Sequence, residues 1–295
     1  MIYNTSSLFP NKVYIHGCGG TGSRLVPLVA QFLKSLPHVI NPEIVLFDFD
    51  TVEAKNLSRQ NFVTSDVGKY KSEVLAARYA KAYDINIKAE TTSITDSQSN
   101  TMEYGEVALH ILCVDSVSSR KDIQAWISAN SVVGIIIDTG NGDNYGQVKV
   151  MGTSSPSACQ ASGEILEKLI SNKSVPFSVR VPSLYMDVDY FNQMVETTST
   201  ASCADLDQTM AINVLVAATA FSVVQNIYYA KDIDYHRIDI GLDSGCIYRH
   251  TDFKYLRELV SQDSWQSGYT LPGSNIDTLM KIASIEFDKA ILLAA

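Results

Sequence analysis

The chain has 295 residues, with 23 Lys and Arg against 32 Asp and Glu, a formal net charge of −9. A nonspecific nucleic-acid binder carries the opposite sign, so no direct nucleic-acid binding is expected, although Arg59, Lys69 and Lys71 can still form a local basic pocket. With 46% hydrophobic residues, the chain can bury a full core, in one large domain or in one domain with an insertion.

Residues 12–16 (KVYIH) read as a short apolar strand that ends at glycines. A helix is expected over 23–35, because Leu25, Leu28, Val29, Phe32 and Leu33 fall on one face. Pro27 sits about one turn in, where its missing N–H is tolerated. Strand 43–49 follows, then a helix over 69–82, a strand at 85–90 and a buried-type strand at 107–114 that ends at Asp115. A helix over 119–129 and an apolar strand at 132–138 complete the alternation. A parallel sheet with crossover helices produces this order. Residues 144–152 resemble a strand that begins an antiparallel extension. Residues 153–205 are rich in Ser and Thr and read as a crossover or insertion segment. The strongest long helix is 206–228. Strands are expected within 235–250 and a final helix over 275–293.

The expected fold is therefore an α/β Rossmann-like doubly wound sheet, largely parallel, with an antiparallel C-terminal extension. Residues 1–140 form the nucleotide-binding half and 141–295 the extension of the same domain.

Cys18, Cys113, Cys159, Cys203 and Cys246 are odd in number and widely spaced. That argues against a disulfide framework and for a reducing, cytoplasmic setting. No CxxC pair is present, so no structural zinc is expected. The first residues lack a basic region followed by a long apolar run. The most apolar helix, 210–228, contains Asn213 and Gln225 and reads as core rather than as a membrane span.

Two segments carry the chemistry. In HGCGGTGSR, Gly17, Gly19, Gly20 and Gly22 lie between a strand and a helix. Glycine removes the Cβ atoms that block a phosphate, and the helix start offers free N–H groups. The competing reading is a tight structural turn. In FDFDTVEAKNLSRQ, Asp48 closes the second strand, where a carboxylate accepts from ribose hydroxyls. Asp50, two residues on, is placed to hold the turn. Asn56 and Arg59 come next, and a forked guanidinium near phosphates suits a reaction in which pyrophosphate leaves. Lys69 and Lys71 add further phosphate contacts or are ordinary helix-surface lysines. Asp115 is a magnesium ligand or, alternatively, the N-cap of helix 116–129. Asp138 is a second carboxylate candidate, and His16 reads as structural.

GCGGTGS at 17–23, DFDTVEAKNLSRQNF at 48–62, DVGKYKSEVLAAR at 66–78 and LCVDS at 112–116 together resemble the ThiF/MoeB/HesA family of E1-like activating enzymes. The phage-type and PRTRC-cassette members look most similar. The resemblance implies an ATP-binding, magnesium-dependent adenylyltransferase, a transferase of ubiquitin-like protein activation. It acts on the C-terminal glycine carboxylate of a ubiquitin-like or sulfur-carrier protein. It further implies a homodimer, with no membrane association. By position, Gly17, Gly19 and Gly22 line the phosphate side, Asp48 binds ribose, Asn56, Arg59 and Lys71 address the triphosphate, and Asp115 holds magnesium. Gln60 orients the local network. Many relatives supply an arginine from an N-terminal helix to the partner's site, and here Lys12 is the only cation before the glycine loop.

Some members capture the acyl group on a cysteine, and Cys203 is the candidate, with Cys159 the loop alternative. Three other readings remain: activation of a small-molecule or tRNA-linked carboxylate, an inactive E1-like scaffold, and an NAD- or FAD-linked oxidoreductase. Arg59 with Lys71 argues against the last.

Overall fold

A computed structural model describes residues 9–37, 42–96, 107–130, 133–153, 209–229, 235 and 237–250. The expected helix over 275–293 and nearly all of the 153–205 segment lie outside the described residues.

Eight strands form one sheet in the order β3-β2-β1-β4-β5-β6-β7-β8. Strands β1 (Lys12–His16), β2 (Glu43–Phe47), β3 (Ile87–Glu90), β4 (Val107–Leu112) and β5 (Val133–Asn141) run parallel. Strands β6 (Tyr145–Thr153), β7 (Arg237–Gly241) and β8 (Cys246–His250) continue antiparallel. The largely parallel sheet with an antiparallel extension is thus present. In β1, Val13 to Ile15 are wholly buried, because helices cover both faces of the sheet there. Val13, Ile15, Leu46, Leu109 and Ile135 belong to one core with α1 (Gly22–Ser35), α2 (Lys71–Tyr83) and α4 (Met210–Tyr228). Tyr14, Val45, Phe47, Leu112 and Ile136 turn the other way, onto Ile123 and Ile127 of α3 (Val117–Ala129).

α4 is long and apolar enough to cross a membrane by length and composition. Its buried residues, among them Ile212, Val216, Ala220 and Val224, join the sheet's core instead. Thr209 starts it as an N-cap, with Oγ1 accepting from the Ile212 N–H at 3.4 Å.

Two boundaries move for local reasons. The second strand stops at Phe47 because the Asp48 carboxylate accepts the Asp50 N–H at 2.8 Å, an Asx turn that leads the chain off the sheet. Asp48, rather than Asp50, holds that turn. The following helix starts at Lys71 rather than Lys69 because residues 69–71 are tied to 50–52. The Val52 N–H donates to the Lys69 carbonyl at 2.8 Å, and the Lys71 N–H to the Asp50 carbonyl at 2.9 Å.

The strand order reverses between β1 and β4. In open α/β sheets the crevice beyond the carboxyl ends of such a pair is where ligands bind. The glycine loop leaves β1 there, and Asp115 follows β4.

Candidate nucleotide site

The four loop glycines have different reasons to be glycine. Gly17 has φ +90°, and an added Cβ would lie 2.7 Å from the Cys113 carbonyl oxygen. A Cβ on Gly22 would lie 1.9 Å from the Gly17 carbonyl oxygen, so this glycine lets α1 close on β1. A Cβ on Gly20 would meet the Asn213 amide at 2.6 Å. Gly19 alone faces space: its nearest neighbour would be Gln60 Nε2, at 3.9 Å. The protein itself fills the room beside three of them, and the fourth marks the open wall.

Asp48 is wired to this loop. Its Oδ2 accepts the Cys18 N–H at 2.6 Å while Oδ1 holds the Asp50 N–H. Burial pushes the Asp48 carboxyl up from its ordinary value, opposed by the Lys71 charge and the two N–H groups. The Lys71 ammonium is buried and sits 2.8 Å from Asp50 Oδ2, whose side chain is 58% exposed. The first turn of α2 therefore points a desolvated cation at a carboxylate that water can still reach.

The segment after β2 is pinned to α1 by a device that Pro27 makes possible. Pro27 has no N–H for the Ser23 carbonyl one turn back, so that carbonyl accepts from Asn61 Nδ2 at 3.2 Å. Ser23 Oγ accepts the Asn61 N–H at 3.0 Å, and Asn61 Nδ2 also donates to the Tyr79 hydroxyl at 2.8 Å. Arg78 donates to the Asn61 carbonyl at 3.0 Å and to Asp66 Oδ2 at 2.5 Å. Burial alone would raise the Asp66 carboxyl, but the Val63 N–H and Arg78 outweigh it and hold it below its ordinary value. Buried Asn56 accepts the Glu53 N–H on Oδ1 at 2.9 Å and shapes the short turn Ala54–Asn56. Arg59 follows that turn and is half-buried. Gln60 beside it is 6% exposed, and its Oε1 is buried without a hydrogen-bond partner.

Asp115 is exposed just past β4. The capping alternative falls to its neighbour: Ser116 Oγ accepts the Ser119 N–H at 3.0 Å at the start of α3. The Asp115 carboxylate is thus spared that duty. Asp138 is committed elsewhere, since buried Arg120 Nε donates to its Oδ1 at 2.9 Å. Among the described residues, no group of three or more His, Cys, Asp or Glu side chains gathers to hold a metal ion. A lone carboxylate suits magnesium, which takes phosphate oxygens and water as its other ligands.

His16 and His110 form a buried pair, Nε2 to Nδ1 at 3.1 Å, in a stack with Tyr14 and Phe47. Burial lowers His16 to about 3, which suits a neutral structural ring. Burial also raises both loop-side thiols, Cys18 well above its ordinary value and Cys113 to about 12. Neither is poised as a thiolate. Cys203 and Cys159 lie outside the described residues.

Sequence reasoning missed Asn61 and Asn213. Asn213 in α4 is wholly buried, accepts from Thr21 Oγ1 at 3.4 Å and from Asn141 Nδ2, and donates to the Thr209 carbonyl at 3.3 Å. An amide set within the apolar run 211–221 was its only signal.

A family model described as the ThiF family matches residues 4–230. The chain belongs to the ThiF family. No curated protein sequence matches it. Solved structures similar to this ThiF-family chain include E. coli MccB with ATP, at 20% identity and a TM-score of 0.52, covering 84% of this chain and 65% of that one. MccB with AMPCPP and selenomethionyl MccA is 19% identical, with the same coverage and a TM-score of 0.53. The microcin C7 biosynthetic enzyme MccB in complex with N-formylated MccA is 19% identical, covering 84% and 66%, with a TM-score of 0.52. This ThiF-family chain thus spans just under two thirds of the length of the MccB proteins, and at such identity the likeness establishes the fold.

Proposed function

We propose that the protein is an ATP-dependent adenylyltransferase that activates the C-terminal carboxylate of a peptide or small carrier protein. The observation that carries this reading is the convergence at the β1/β4 crevice. The open Gly19 loop leaves β1 there, Asp48 is bonded to that loop and feels the Lys71 charge, and Asp115 follows β4 at the same edge of the sheet. Family membership supports it, as do the MccB structures with ATP, AMPCPP and MccA.

In this reading the triphosphate lies along Gly19 and the start of α1. Asp48 takes the ribose hydroxyls with oxygen capacity beyond its two N–H bonds. Lys71 exchanges Asp50 for phosphate oxygens, and Arg59 stabilises the charge that grows on the departing pyrophosphate. Asp115 would hold magnesium, which neutralises phosphate charge when bound. A substrate carboxylate oxygen bonds to the α-phosphorus as the bond to pyrophosphate breaks. A carboxylate is already ionised near neutral pH, so no general base is required. Positioning and charge neutralisation carry the step.

The test is exchange of labelled pyrophosphate into ATP with a panel of peptides that have free or amidated C-termini. Magnesium-dependent exchange that needs the free carboxylate supports the reading. Nucleotide binding without exchange for any carboxylate favours a scaffold instead.

A further inference from the structure

We infer that Gln60 is a phosphate-binding residue of the nucleotide site, with its amide held so that the N–H end faces the ligand. This rests on the adenylation reading above and adds a neutral donor to its cations.

Three observations converge. Gln60 Nε2 lies over Gly19, the one loop glycine beside which the protein leaves open room. Gln60 is 6% exposed, so its position is set by packing rather than by solvent. Its Oε1 is buried and makes no hydrogen bond. A buried acceptor without a donor destabilises the unliganded fold. Turned over, the amide would instead bury an NH2 group without an acceptor and present its oxygen to the cradle. With the donor end at Gly19, the group waits for an acceptor. Phosphate oxygens only accept, and in the adenylation reading they lie along Gly19 and the start of α1, so the acceptor this donor end meets is a phosphate. The main-chain link from Gln60 N–H to the Asn56 carbonyl, 2.8 Å, fixes the backbone beneath it. The Asn61 bonds to Ser23 fix the next residue on α1 itself. The donor is therefore preset relative to the loop it serves.

A conserved size with altered chemistry separates this role from a packing role. Gln60→Met keeps the length and removes both the donor and the orphan oxygen. Gln60→Glu keeps the length and sets an anion at the cradle. Binding of adenosine, AMP and the analogue AMPCPP with Mg2+ is measured by calorimetry, together with thermal melting. The expected result is that Gln60→Met melts no lower than wild type and binds adenosine unchanged, but binds AMPCPP about 10-fold more weakly. Gln60→Glu should lose more on AMPCPP, again with adenosine unchanged. Equal losses for adenosine and AMPCPP, or unchanged AMPCPP affinity in a folded Gln60→Met protein, overturn the inference. Failure of the wild-type protein to bind any of the three overturns the nucleotide reading itself and the inference with it.

Discussion

Gly20 and Asn213 compete for one volume: a Cβ on Gly20 would lie 2.6 Å from Asn213 Oδ1 and 2.7 Å from its Nδ2. The glycine is therefore required by a side chain on α4, far along the chain, rather than by a ligand. Gly20→Ala should cost about 1–3 kcal/mol through overpacking. Asn213→Ala should cost about 1–3 kcal/mol by removing the bonds that Thr21 and Asn141 donate to its amide oxygen. The pair together should be less destabilised than the sum of the singles, because the second change makes room for the first. Urea unfolding of all three variants checks this, and strict additivity would count against it.

Arg59 is half-buried and follows the Ala54–Asn56 turn. Arg59→Ala should reduce pyrophosphate exchange by about 100-fold, in the range seen for loss of one transition-state donor. The loss of exchange should far exceed any loss of stability. Exchange kinetics beside a urea titration would expose the opposite pattern, unaltered exchange with lost stability.

Lys71 owes its present geometry to Asp50. In Asp50→Asn the buried ammonium loses its ion-pair partner, which should destabilise the unliganded protein by about 1–2 kcal/mol, reduced from a fully buried pair because Asp50 is solvated and Asp48 stays nearby. A triphosphate supplies the missing charge. The melting-temperature increase on adding AMPCPP and Mg2+ should thus be larger in Asp50→Asn than in wild type. An equal or smaller increase would mean that the nucleotide does not reach Lys71.

The histidine pair gives stability a pH dependence. Burial takes His16 from 6.5 to about 3, and burial with the His16 charge takes His110 well below its ordinary value. The surrounding Tyr14, Phe47 and Trp126 rings offer no compensating charge. Below about pH 6.5 the unfolded chain takes up protons that the folded chain refuses. Stability present above pH 6.5 is therefore lost as pH falls toward 3, by about 1.4 kcal/mol per pH unit for each excluded proton. Urea midpoints between pH 7 and 5 should slope downward, and the slope should flatten in a His16→Phe/His110→Phe variant. An unaltered slope in that variant would assign the effect to other groups.

The parallel half of the fold was legible because apolar runs such as VALHIL alternate with amphipathic helices and end at glycine or acid. The Gly-rich loop, Asp48 and Asp115 stand out as candidates from their places at strand ends, whereas Lys71 stands out only through the family resemblance. The short turns around Asn56 and Asp66 were not, since they are set by side-chain bonds rather than by periodicity. The distinct reasons for Gly17, Gly20 and Gly22 were hidden too, because each depends on a neighbour distant in sequence or folded back upon it. The tolerance of Pro27 near the helix start is visible in the sequence, but its further effect, freeing the Ser23 carbonyl for Asn61, depends on a residue from another segment.

The most direct test is a crystal structure of the protein grown with Mg2+ and AMPCPP. The proposed site requires phosphates over Gly19, Lys71 moved from Asp50 onto phosphate oxygens, Arg59 on the terminal phosphates and Asp115 at the metal. A nucleotide bound elsewhere, with the Lys71–Asp50 pair still intact and Asp115 facing only solvent, would contradict it.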